Sequence, residues 1–281
     1  MTTTLRPSGP EETAADGGRI RAFDVRVNGR RAGVLRLAVS APRAGGPEGR
    51  ITHLEIDEAD RRRGRATVAA LAAEELLRAE GCREVTASVP ATAGGALALA
   101  ASLGYTERGR ILAKRLPDRP PPLAPGHVVR AVTDAEYPAW LAAERARSTR
   151  VLIDLGLPPE AAAERAEASC ARLLPRGPAT EGAALRVLAH DGVDVGTLWL
   201  STARDAIPDP ADAYVFSAFV YEGHRGRGHG RALMREAERL TRAAGGELLK
   251  LNVFTDNTPA LRLYASLGYA VGTQHLYKSL G

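Results

Sequence analysis

The sequence predicts an α/β fold in which a mixed sheet flanked by helices is laid down twice in one chain. Three observations predict it. Apolar, strand-like runs alternate with amphipathic helical runs along the 281 residues. The two halves repeat at one offset: 228 − 64 and 269 − 105 are both 164, for Gly228/Gly64 and Tyr269/Tyr105. Between those points no gap is needed, and Ala73/Ala237, Glu74/Glu238, Leu76/Leu240, Gly81/Gly245, Val89/Val253 and Leu97/Leu261 coincide, a density of identity that marks an internal duplication. Finally, a segment rich in proline, 117–126, stands between the copies; its prolines favour stiff polyproline geometry and exclude helix. The expected division is 1–116, linker 117–126, and 127–281.

In the first half, 20–27 alternates like a strand and ends in Asn28-Gly29, a hairpin turn signal, with 32–39 as the returning strand. A Gly/Pro-rich loop, 41–49, leads to a third strand at 51–57. Arg61-Arg62-Arg63-Gly64-Arg65-Ala66 then opens a helix to about Glu80. A strand at 84–89, a helix at 93–103 and a closing strand from Gly104-Tyr105 complete it. The polar stretch 1–18 reads as a loose tail or a frayed first strand, not as a signal peptide.

The second half starts with a short strand at 128–131. Thr133 and Glu136 form a capping box for a helix to about Ser148. Pro158 or Pro159 opens another helix to about Leu174. Strands at 185–189 and 195–201 form a hairpin across Asp191-Gly192, and 205–210 is a loop. The first half has no room for the two helices, so it is the reduced copy.

The chemistry is concentrated at 220–231, Val-Tyr-Glu-Gly-His-Arg-Gly-Arg-Gly-His-Gly-Arg. A strand-like run, 213–221, leads in. A helix leads out, with Leu233, Ala237, Leu240 and Ala244 on one face. Alternate glycines let successive N–H groups turn inward as an anion nest, and the helix N-terminus adds partial positive charge. Strand, nest and helix start together form a pyrophosphate cradle. No Gly-Lys-Ser/Thr follows, which excludes a P-loop, and no βαβ unit with an acidic residue at the right distance follows, which argues against a Rossmann site.

With the continuation, a strand at 248–254 and then Asn257, Ala260, Tyr264 and Leu267-Gly268-Tyr269, the sequence resembles the GCN5-related N-acetyltransferase (GNAT) family. Its acetyl-CoA signature, Gln/Arg-x-x-Gly-x-Gly/Ala, is met at Arg225, Gly228 and Gly230. The resemblance implies two tandem acyl-CoA N-acyltransferase domains, with the N-terminal one reduced, and direct transfer of acetyl from the thioester to an amine. It implies acetyl-CoA as co-substrate and no metal. Cofactor contacts fall to Ala218, Phe219, Val220, Arg225, Gly226, Arg227, Gly228, His229, Gly230, Arg231 and Asn257. The pantetheine arm is expected to add like a strand beside 218–220, and Tyr264 matches the family's general acid.

The sequence departs from the family at the base. Many members carry Glu where Phe219 stands, and a phenyl ring takes no proton. The equivalent residue in the first half is Glu55, since 219 − 164 is 55. The first half in turn has Ala100 for Tyr264 and Ala93 for Asn257. Glu222 and His224 are nearby candidates for a base, Glu55 acting across an interface is another, and water is the remaining route. The second domain is therefore the expected catalyst. The Arg61–Ala66 loop keeps the short signature without the extra glycines.

The net charge of +5 brings no basic stripe interleaved with aromatics, which are 5% of residues, so nucleic acid is disfavoured as a partner. No run reaches about 18 uncharged apolar residues, so no membrane span is expected. Cys82 and Cys170 read as packed thiols in a cytoplasmic protein. The expected acceptor is a primary amine on a small molecule. A protein amine, a regulatory acyl-CoA-binding role without turnover, and a homodimer stay open.

Overall fold

The computed structural model describes residues 2–14, 17–41, 46–207 and 211–281. Parts of the loops expected over 41–49 and 205–210, and Met1, 15 and 16 of the N-terminal stretch, lie outside the described residues. The chain forms two compact units. Unit 1 is Met1–Arg110 with Gly272–Gly281, and unit 2 is Ile111–Val271.

Unit 1 contains β1 (Thr3–Pro7), β2 (Glu12–Thr13), β3 (Arg19–Val27), β4 (Arg30–Val39), β5 (Gly49–Ile56), α1 (Arg65–Ala79), β6 (Glu84–Pro90) and α2 (Gly94–Ser102). The stretch expected to be a tail or a frayed strand is a paired one. β1 lies antiparallel to β3 from Thr3↔Val27 to Pro7↔Phe23. The β3–β4 hairpin turns at Asn28-Gly29, where both residues have positive φ (49° and 87°), as the Asn-Gly pair allows. The strand order is β1-β3-β4-β5-β6, and β5 and β6 are parallel. Val25, Leu35, Leu37, Ala73, Leu77 and Val85 form its core with α1 laid across the sheet.

Unit 2 contains β8 (His127–Ala131), α3 (Tyr137–Asp154), α4 (Pro159–Leu173), β9 (Ala183–His190), β10 (Val193–Ser201), β11 (Ala213–Val220), α5 (His229–Ala243), β12 (Leu248–Phe254) and α6 (Thr258–Ser266). The capping box is present: Thr133 N donates to Glu136 Oε2 at 2.9 Å and Glu136 N donates to Thr133 Oγ1 at 3.3 Å. The helix after it runs past the expected Ser148 to Asp154. The order is β12-β11-β10-β9-β8, with β11 and β12 parallel. One core packs α5 on the sheet through Leu233, Met234 and Ala237; a second packs α3 and α4 through Trp140, Cys170 and Trp199. Cys82 and Cys170 are free and buried.

The repeat is literal in three dimensions. β5, α1, β6 and α2 have the bounds of β11, α5, β12 and α6 less 164. The closing strands, β7 (Thr106–Arg115) and β13 (Ala270–Ser279), obey the same shift. Their membership does not follow the linear order, however. β13 pairs antiparallel with β6 in unit 1, from Thr273↔Pro90 to Ser279↔Glu84, and Leu280 joins the core of that unit. β7 neighbours β12 in the strand order, and Leu112 and Leu116 join the core of unit 2, each worth about 1.5–3 kcal/mol of burial. β13 thus completes the half that precedes it, while β7 is divided after Arg110 and completes unit 2 with residues 111–115. A division at 117–126 cuts the covalent chain between two strands already committed elsewhere.

Candidate active site

β11 positions the site. Its parallel pairing with β12 runs from Ala213↔Leu249 to Val215↔Leu251 and stops there. On its other side it stays on β10 to Val220↔Gly196, with a register shift at Trp199/Leu200 that leaves Phe216 extra. A bulge bends and twists the strand that carries it. The 216–220 segment is thereby released from β12, and its edge facing that gap is open to an added extended chain. Ala218 and Val220 pack toward α5, while Ser217 and Phe219 point to the opposite face.

Past Val220 the chain makes a 3-10 turn, Glu222–His224. Arg225 Nε folds back onto Val220 O at 3.3 Å. Gly226 and Gly228 take φ of 77° and 87°, and Gly228 is the N-cap of α5. Left-handed geometry at both is what turns the N–H groups the same way. The N–H groups of Gly226, Arg227, Gly228, His229 and Gly230 have no partner among the described residues. Five free donors at a helix N-terminus fit a diphosphate. Gly230 serves a different end: a Cβ there would stand 3.0 Å from Leu263 Cδ2, so it lets α5 and α6 approach. Arg231 is held by α6 through Ser266 Oγ at 2.7 Å, whereas Arg227 is exposed.

The side chain of His229 turns away from this cradle. It is 3% exposed, and its Nδ1 lies 2.9 Å from His127 Nε2. The His190 ring packs at 5.0 Å and that of His224 at 6.3 Å. Burial pushes the His229 imidazole below its usual pKa, reinforced by His127, His190, His224 and Arg227. His229 therefore fixes the start of α5 to β8 and the β9–β10 hairpin, and only its backbone faces the cradle.

Tyr264 sits on α6, 9% exposed, with Tyr269 at 5.8 Å edge to face. Burial raises its phenol to about 12, so it is protonated at neutral pH. Asn257 caps α6: its Oδ1 accepts from Ala260 N at 3.2 Å. The two sequence-suggested bases in this loop differ in shelter, Glu222 being exposed and His224 half-buried. The Glu222 carboxylate is 91% exposed, and His224 stands at the rim of the histidine group. Glu55 is on β5 of unit 1, 57% exposed, beside His53 at 3.3 Å.

Two residues were missed in the sequence, Glu144 and Arg147 of α3. Glu144 is 6% exposed; it accepts from Ser217 Oγ at 3.1 Å and pairs with Arg147. Arg147 lies over the Phe219 ring at 4.3 Å, and Arg225 lies near the same ring at 5.6 Å. The available signal was spacing: Glu144 is four residues after Trp140, on the buried side of the helix.

Unit 1 repeats the cradle with different side chains. Arg61 Nε donates to Ile56 O at 2.8 Å, and Gly64 caps α1 with φ 74°. Arg62 takes the place of Gly226 with φ 56°, a conformation that strains a side-chain-bearing residue by about 1–2 kcal/mol. Arg65, at the place of His229, is buried against Asp60, which Arg30 also binds at 2.7 Å. Ala100 fills the position of Tyr264, and Ala93 caps α2 without a side-chain bond. Among the described residues no group of three or more His, Cys, Asp or Glu could hold a metal ion, and no helix is long and apolar enough to cross a membrane.

A family model described as the acetyltransferase (GNAT) family matches residues 5–105 and 159–269. An uncharacterized N-acetyltransferase, YdgE of Bacillus subtilis (strain 168), is 29% identical over 118 residues, spanning 42% of this chain and 74% of that protein. A tandem GNAT protein from the clavulanic acid biosynthesis pathway superposes with TM-score 0.54 at 22% identity, over 95% of this chain and 85% of its own. A GCN5-related N-acetyltransferase from Sphaerobacter thermophilus superposes with TM-score 0.61 at 22% identity, over 92% and 80%.

Proposed function

The chain belongs to the acetyltransferase (GNAT) family, and from that premise we propose that unit 2 transfers an acetyl group from acetyl-CoA to the primary amine of a small molecule. The observation that carries the assignment to unit 2 is the contrast between Tyr264, buried and protonated on α6, and Ala100 at the same place in unit 1. Acetyl-CoA supplies an acyl group already activated as a thioester.

The free N–H groups from Gly226 to Gly230 hold the diphosphate, and the open edge of 216–220 takes the extended arm. Tyr264 then has one task, to give its proton to the departing sulfur. An ordinary thiol titrates near 8.5, well below the raised phenol. The desolvation that raises Tyr264 raises a thiol in the same site too, which narrows that gap.

Phe219 favours a second reading, an acyl-CoA-binding module without turnover, because a ring stands where a proton acceptor is usual. Thiol release decides between them. The purified protein is mixed with acetyl-CoA and D-glucosamine, spermidine or L-lysine methyl ester, and free thiol is followed. Amine-dependent release supports the transferase. Tight acetyl-CoA binding with no release for any amine supports the binding module.

A further inference from the structure

Phe219 leaves the acceptor without the usual strand carboxylate, yet a buried carboxylate stands on the same face. Glu144 enters from α3 and touches Ser217, two residues before Phe219 on β11. Side chains two apart on a strand share a face, about 7 Å from each other. The carboxylate and the Phe219 ring together already hold a cation, since Arg147 pairs with Glu144 and stacks on the ring at 4.3 Å. A carboxylate and a π face are also what binds an ammonium group.

Arg147 fits this place imperfectly. Among the described residues its Nε is buried without a hydrogen-bond partner. Three further side-chain atoms are buried without a hydrogen-bond partner among the described residues of this layer: the indole N–H groups of Trp140 and Trp199, and Thr197 Oγ1. Trp199 and Thr197 are the cross-strand neighbours of Ser217 and Phe219 on β10. Buried donors without acceptors are uncommon, and these are free to take oxygen acceptors from a ligand. The two members of the pair also differ in freedom. The Glu144 side chain is 7% exposed and fixed, while that of Arg147 is 26% exposed on a flexible stem.

We infer that Glu144 and the face of Phe219 form the seat for the acceptor's ammonium group, and that Arg147 is a resident cation which the acceptor displaces. This rests on the transferase reading above and gives it a substrate class. The acceptor is a cationic primary amine that carries hydroxyl or carbonyl oxygens, which the orphaned N–H groups satisfy. A helix, not the strand, delivers the carboxylate, and this accounts for a ring at position 219. Arg147 keeps the seat neutral until a cation replaces it.

Two variants move in opposite directions. Glu144→Gln raises KM for the best amine at least tenfold and leaves acetyl-CoA affinity unchanged. Arg147→Met removes the competitor and lowers that KM severalfold. An uncharged helix could lose packing in either variant, but no packing defect tightens the amine. Unchanged KM in Glu144→Gln, or a raised KM in Arg147→Met, overturns the seat while turnover by the wild type leaves the transferase reading standing. Should no amine be acetylated, the seat is read without turnover, by calorimetry of n-butylammonium against CoA-loaded protein. Binding lost in Glu144→Gln supports it, and equal or absent binding in both proteins overturns it.

Discussion

Lys278 Nζ lies 2.6 Å from Glu74 Oε2, and Lys114 Nζ lies 2.6 Å from Glu238 Oε1. These are one relationship seen twice, since 278 − 114 and 238 − 74 are both 164. In each pair the lysine rides on a closing strand contributed by one copy, and the glutamate is buried in the main helix of the other. Tyr105 and Tyr269, the matching aromatics, stand under the two ammonium groups at 5.8 Å and 5.5 Å. Burial and the adjacent glutamate raise both phenols. The exchange of strands is thus fastened by two equivalent polar clamps.

Removing one clamp leaves a carboxylate buried and unpaired. Lys278→Met is expected to cost about 3 kcal/mol, because an isolated buried charge loses more than its partner gained. Urea unfolding followed by circular dichroism checks this. A loss below about 0.5 kcal/mol would mean that Glu74 finds another partner or takes up a proton.

Tyr264→Phe is expected to lower kcat by about 100-fold, with the calorimetric affinity for acetyl-CoA unchanged. In the proposed reaction the hydroxyl acts on the departing sulfur, not on the bound thioester, so binding has no reason to change. Full turnover in this variant removes Tyr264 as the acid.

Gly228→Val tests the cradle. Among the described residues nothing lies within 4 Å of a Cβ at Gly228, so no clash intervenes, but φ 87° is costly to a branched residue by about 1–2 kcal/mol. Titration with acetyl-CoA is expected to show affinity reduced at least tenfold. A site that survives at full strength belongs to the Arg61–Ala66 loop of unit 1.

The histidine group makes stability depend on pH. The pKa of His229 is lowered in the folded protein, so the unfolded chain binds the proton first. Its contribution is fully present above about pH 6.5, the ordinary histidine value, and is lost as pH falls from there toward the lowered folded value. Tm measured from pH 8 to 5 is expected to drop through that window, and His229→Asn is expected to flatten the drop. Identical curves would mean that other groups dominate.

Most of the fold was legible because its signals are local. Glycines at 64, 228, 104 and 268 mark the same turns in both copies, and the capping box at Thr133 and Glu136 formed as its spacing implies. The exchange of β7 and β13 was not legible. Both strands offer a lysine at equivalent positions, both helices offer a glutamate, and both sheets offer the same edge. A sequence that satisfies self-closure satisfies exchange equally, so only three-dimensional pairing distinguishes them. The left-handed turns at Gly226 and Gly228 were readable from glycine spacing, but not the direction of the His229 side chain, which depends on His127 about a hundred residues away. Glu144 was hidden for a simpler reason. A charged residue on a helix is usually solvated, and only its register with Trp140 places it inward.

The closing strands also set an order of assembly during synthesis. Every residue of unit 2, 111–271, is made before the last strand of unit 1. Domains made first usually fold first on the ribosome, but here β6 gains its antiparallel partner only when Thr273–Ser279 emerges. The half that starts first therefore finishes last. Until then the β6 edge is open to the equivalent β7 of its own chain or to a β13 from a neighbouring nascent chain.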